Sequence, residues 1–142
     1  MSVPSGIYAL LGSVSGITDL LGTGDSLRVY PAMIPQGIDL PAVRYTRISG
    51  PFERSLTGPV IAAECTYQID IVDDSYADAE TAAHAVRVGI DGYTGAPVVG
   101  EFFHNIIVEN MSAPFEMPPD ASEQWRWIIS LDVRIFHQIN VT

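Results

Sequence analysis

Two segments of this chain alternate apolar and polar residues over lengths that only extended strands satisfy. From Ile61 to Val72, Cys65, Tyr67, Ile69 and Ile71 alternate with Glu64, Thr66, Gln68 and Asp70. From Trp125 to Phe136, Trp125, Trp127, Ile129, Leu131, Val133 and Ile135 point one way, while Arg126, Ser130, Asp132 and Arg134 point the other. A period of two places successive side chains on opposite faces, so each segment reads as a long strand with one face to bury. That face needs a second layer to cover it, and the rest of the sequence supplies helices.

Residues Ser5 to Leu21 carry Ile7, Leu10, Leu11, Val14, Ile17, Leu20 and Leu21 at spacings of three and four, broken by Gly12 and Gly16. That pattern predicts one weak helix or two short ones. A second helix begins after Ser75, an N-cap with Asp78 three residues on, and ends before Gly92. Tyr76, Ala79, Ala83, Val86 and Ile90 line one of its faces, and its alanines let the axis lie close to a sheet. Two further strands are predicted over Pro41 to Ser49 and Phe102 to Val108. The first pairs antiparallel with the Ile61–Val72 strand across the Gly-Pro-bounded loop 50–59. A proline-rich connection precedes Trp125, its fifteen residues long for a mere link. The order α-β-β-α-β-β predicts a single domain over 1–142. Its fold is an α+β two-layer sandwich, with about four mostly antiparallel strands and helices on one face.

Composition narrows the function. The chain has 17 acidic and 7 basic residues, a net charge of −10, and every basic residue is an arginine. Clustered cations neutralise phosphates in nucleic-acid binders, and this balance argues against that class. The lone Cys65 cannot form an intramolecular disulfide and on an inward strand face behaves as a small hydrophobe. The first residues lack the basic segment of a signal peptide, and their apolar runs are too short to span a bilayer, so a soluble, unexported chain without membrane association is expected. His84, His104 and His137 lie on separate elements without ligand spacing. Asp73 and Asp74 are adjacent and point apart, and Ser55, Ser75 and Ser130 lack a nucleophile elbow. Glu116, Asp120 and Glu123 lack the dense spacing of a calcium loop. No catalytic, cofactor-binding or metal-binding set emerges, and no enzyme activity is predicted.

The order of parts carries a resemblance. "RVYPAMIPQG", "LPAVRYTRISG", a hairpin into "AECTYQIDIVDDSYADAETAAHAVRVGIDG", a strand ending "VEN" and a final "WRWIISLDVRIFH" together resemble the tail-completion, or tail-terminator, proteins of long-tailed bacteriophages and gene transfer agents. The likeness runs from about Ile7 to His137 and lies in pattern and order, with no catalytic fingerprint. It implies a structural virion protein that forms a ring, usually a hexamer, on the head-proximal end of the tail tube. Such a ring stops tube polymerisation and meets the capsid connector, while DNA passes through its channel without specific binding. On that reading, Phe52, Glu53 and Arg54 in one loop and Phe115, Glu116 and Met117 in the other are candidates for docking on the tube or neck. Arg44, Arg47, Arg126 and Arg134, on the sheet face expected to be exposed, pair either with a neighbouring subunit's acids or with cross-strand partners. Pro31, Pro35 and Pro41 either resist strand addition at an exposed edge or steer a loop around it. The alternatives are another neck, stopper or minor tail component, a small-ligand-binding or enzymatic α+β domain, and a host-encoded interaction module.

Overall fold

The computed structural model describes residues 3–35, 37–49, 62–99, 101–117 and 126–138. The elements are α1 (Val3–Leu11), α2 (Ser15–Leu21), β1 (Val29–Pro31), β2 (Ala42–Ser49), β3 (Ala62–Asp73), α3 (Tyr76–Ile90), β4 (Gly95–Val98), β5 (Glu101–Met111), β6 (Phe115–Met117) and β7 (Arg126–Gln138). They form one sheet in the order β1-β2-β3-β7-β5-β4, with β6 also on β7. The two period-two segments are its centre: β3 and β7 run antiparallel in unbroken register, from Ala62 opposite Gln138 to Asp73 opposite Trp127.

The α+β class holds, but among the described residues the sheet has seven strands where about four were expected. Each addition is short. β1 has three residues and runs parallel to β2, with Val29 opposite Val43. β4, also short, pairs antiparallel with β5. Three residues cannot display a period, so neither β1 nor β6 was visible as a strand. The predicted β2–β3 hairpin is present, Tyr45 lying opposite Ile69, with an irregularity between Arg47 and Ser49.

The described part of the region read as a fifteen-residue connection, residues 110–117, is mostly strand. Asn110 and Met111 belong to β5, and β6 continues the same edge of β7, Phe115 opposite Ile128. Ser112 bridges the gap. Its amide donates to the Ser130 carbonyl (2.9 Å) and its Oγ accepts from the Ser130 amide (2.9 Å). Pro114 has no amide to offer a ladder and marks the break between the two strands.

The N-terminal segment forms two helices. The break falls at Gly12–Val14, and Ile7, Leu10, Leu11, Ile17 and Leu21 are buried. In α3, Ser75 Oγ accepts from the Asp78 amide (3.4 Å), and Ala79, Ala82, Ala83, Val86 and Ile90 face the core. Tyr76, expected on that face, stands at its rim with its ring edge-on to Trp127 at 5.0 Å. At the other end Gly92 adopts φ +78, the left-handed cap conformation. Its amide donates to Ile106 of β5 (2.7 Å), and Asp91 Oδ1 accepts from Val108 (3.0 Å), which fixes the helix end to the sheet.

The core lies between the three helices and one sheet face. It unites Leu10, Leu11, Ile17 and Val86 with Ile69, Ile71, Leu131 and Ile135. Two glycines set the spacing. A Cβ on Gly6 would lie 2.5 Å from the Phe103 ring, and one on Gly89 would lie 2.9 Å from Ile17.

Candidate assembly surface

Side chains of the opposite sheet face satisfy one another in a polar network. Asp70 in β3 is only 2% exposed. Its carboxylate accepts from Arg44 Nε (2.6 Å), Gln68 Nε2 (2.9 Å) and Ser130 Oγ (2.6 Å). One strand over, Arg134 bridges Glu64 (3.0 Å) and Glu109. A buried charge is tolerated when paired and hydrogen-bonded, and this one has three donors from three strands. From sequence, Asp70 read as an ordinary solvent-side residue. Gln68 is two residues away, but the partners that tie Asp70 to other strands, Arg44 and Ser130, lie 26 and 60 residues away, so no local signal marks it.

Of the four arginines expected on this face, Arg44, Arg126 and Arg134 lie there. Arg47 does not: it stands opposite Tyr67, a core residue, and so lies on the helix-bearing side near the end of β2. The expected shared face required an even spacing between positions 44 and 47, which three residues cannot give. Arg44 and Arg134 have cross-strand partners within the chain. Phe52, Glu53 and Arg54 lie outside the described residues. Phe115, Glu116 and Met117, expected in a loop, form β6 against β7.

Arg28, which no motif singled out, holds the approach to the sheet. Its Nη2 donates to the Leu20 carbonyl at the end of α2 (2.7 Å) and its Nε to the Pro41 carbonyl (2.9 Å). A cation suits a helix C-terminus. With Asp39, Leu40, Asp74 and Arg126 it lines a cleft of about 660 Å³, whose charges are of both signs.

Titratable groups elsewhere are perturbed mainly by burial. Cys65 is pushed up to about 11 and Tyr67 up to about 12, while His137 is held below its ordinary value. Asp73 is raised to about 6, first by burial and then by its hydrogen-bonded neighbour Asp74. Glu101 is likewise raised by burial. Asp73 stands apart, opposite Trp127 at one end of β3, whereas Glu101 lies near enough to Cys65 and Tyr67 to raise both, and Arg47 acts on Cys65, Tyr67 and His137. Among the described residues, no three His, Cys, Asp or Glu side chains are placed to hold a metal. No helix there is long and apolar enough to cross a membrane.

The β1 edge has its own geometry. The Val43 amide donates to Arg28 (2.9 Å) and the Ala32 amide to Tyr45 (3.0 Å), so residues 28 and 32 direct their bonds inward at β2. By the alternation of a strand, Val29 and Pro31 direct theirs outward. Pro31 has no amide hydrogen, and its carbonyl accepts from Met33 (2.6 Å) across a three-residue turn centred on Ala32 at φ +62. Its outward hydrogen-bonding capacity is spent.

The family model for tail completion protein gp17 matches residues 5–105. The chain belongs to the tail completion protein family. Membership makes it a structural component of a virion tail, in agreement with the resemblance drawn from the order of elements. No curated protein sequence matches the chain. A solved chain from the virion of a native gene transfer agent particle shares the fold, with a TM-score of 0.71 and 18% identity over 97% of this chain and 96% of that one. β6 and β7 lie beyond the family match yet within a fold shared almost end to end.

Proposed function

We propose that this tail completion protein closes into a ring, of about six copies by analogy with the family it resembles, on the head-proximal end of the tail tube. The ring ends polymerisation of the tube protein and presents a surface to the capsid connector. Membership of the tail completion family carries this reading, and the blunted β1 edge supports it. A subunit that must stop a polymer gains from an edge whose outward ladder is interrupted at Pro31. The chemistry is one of shape: the buried carboxylate of Asp70 is fully occupied in holding three strands together. With a net charge of −10 per copy, the channel repels phosphate and lets DNA pass without sticking.

The test is tube polymerisation with and without the protein. Purified tube protein from the same particle is assembled with increasing amounts of the chain, and tube lengths are measured by electron microscopy. Capping predicts shorter tubes and a growing number of them. Lengths that stay unchanged at saturating protein contradict the proposal.

A further inference from the structure

Most of the rim of the sheet is closed, each part by a different device. β1 ends in the turn at Pro31 and Ala32, the end of β2 beyond it is irregular between Arg47 and Ser49, and β4 holds Pro97, which has no amide. Past β4, the turn after α3 covers the next part of β5. Thr94 Oγ1 donates to the His104 carbonyl (2.9 Å), the Gly92 amide donates to the Ile106 carbonyl (2.7 Å), and Asp91 Oδ1 accepts from the Val108 amide (3.0 Å). That cover ends at the register slip between Val108 and Asn110. Ser112 directs its amide at the Ser130 carbonyl of β7, so by the alternation of an extended chain Met111 and Ala113 direct theirs away from the sheet. Among the described residues no turn, cap or loop hydrogen bond reaches the backbone of Met111 or Ala113. Glu109, Asn110, Met111 and Ala113 are all exposed.

We propose that this edge, Met111 to Ala113, takes an extended segment of a partner protein as an added strand. Unpaired amides and carbonyls recognise another backbone whatever its sequence, and the flanking side chains select which one. On the helix side the incoming strand meets Met111, which lies opposite Leu131. On the other side it meets Asn110, whose Nδ2 lies 3.4 Å from Asp132, and the carboxylate of Glu109. Arg134 serves both Glu64 and Glu109, which leaves this side acidic. The segment that fits therefore alternates apolar residues on one face with lysine or arginine on the other. The same edge of a second copy fits poorly, because pairing the two sets these carboxylates against each other in chains that already carry −10 each. The inference stands apart from ring closure. It gives the chain one edge that accepts a strand and an opposite edge interrupted at Pro31, which suits a component that joins an assembly and ends it.

A short synthetic peptide tests the pairing. A capped peptide of alternating lysine and valine is titrated into the isotope-labelled full chain, and amide hydrogen exchange is followed by NMR. Exchange at the Met111 and Ala113 amides is expected to slow at least tenfold at saturation. The same peptide N-methylated at every residue keeps its charge but cannot pair its backbone, and it is expected to protect neither amide. A glutamate–valine peptide of equal length is expected not to bind. Ala113→Pro removes one outward amide without touching the ladder to β7, and it is expected to weaken the lysine–valine peptide at least tenfold. Asp132→Asn, which keeps the side chain's shape, is expected to weaken it severalfold. The peptide controls need no variant to fold. Equal binding of the methylated peptide, protection that falls elsewhere on the acidic surface, or no protection of Met111 and Ala113 at any peptide concentration overturns the proposal.

Discussion

Asp73 shows how one side chain sets a pH dependence. Its carboxyl is 3% exposed, Oδ1 accepts from the Asp74 amide (2.7 Å) and Oδ2 has no partner. Burial first, then Asp74, raise it from 3.8 to about 6. The native state therefore holds a proton that the unfolded chain releases, and the stabilisation present below pH 4 is lost as pH rises through about 6. The effect amounts to about 1–3 kcal/mol. Denaturant unfolding of the wild type and of Asp73→Asn at pH 4 and pH 7 checks it: the wild type gains on the variant as pH falls. Asp70 represents the opposite case, a buried carboxylate with every partner in place. Arg44→Ala leaves it without its cation, and a loss of about 1–3 kcal/mol in the same measurement is expected. Neither assignment was legible locally. Alternation along β3 put Asp70 on the polar face, but two of its three donors come from strands far apart in sequence.

At the scale of elements, the long periodic segments were readable and the short ones were not. β3 and β7 show their alternation over a dozen residues, and α3 shows its Ser75 cap, its alanine face and its terminal glycine. β1, β4 and β6 have three or four residues, and pairing with longer neighbours makes them strands. The connection before β7 looked like a loop because of its prolines, although most of its described part lies along β7. Helix-to-sheet spacing depends on glycine in one place especially. A methyl on Gly6 would sit 2.5 Å from Phe103 Cζ, and Phe103 is fully buried. Gly6→Ala is therefore expected to destabilise the fold by about 1–3 kcal/mol through overpacking. Gly16→Ala, on open space in α2, is expected to be neutral or slightly stabilising, and thermal unfolding of the pair separates the two sites.

The whole molecule is acidic, with helices on one sheet face and a polar network on the other. Family membership was visible in the order of elements, whereas the edges became visible only when the strand order placed β1 and β4 at opposite ends. Because each copy carries −10, assembly is expected to strengthen with salt: raising ionic strength from about 0.01 M to about 0.15 M shortens the Debye length from about 30 Å to about 8 Å and weakens repulsion between neighbours. Sedimentation across that range reads the effect as a growing oligomeric fraction. The most direct test of the central claim is electron cryomicroscopy of tail tubes assembled with excess protein, averaged at their ends. The account predicts a closed, rotationally symmetric disc of this chain on one end of each tube. Bare ends, or copies scattered along the tube wall, would contradict it.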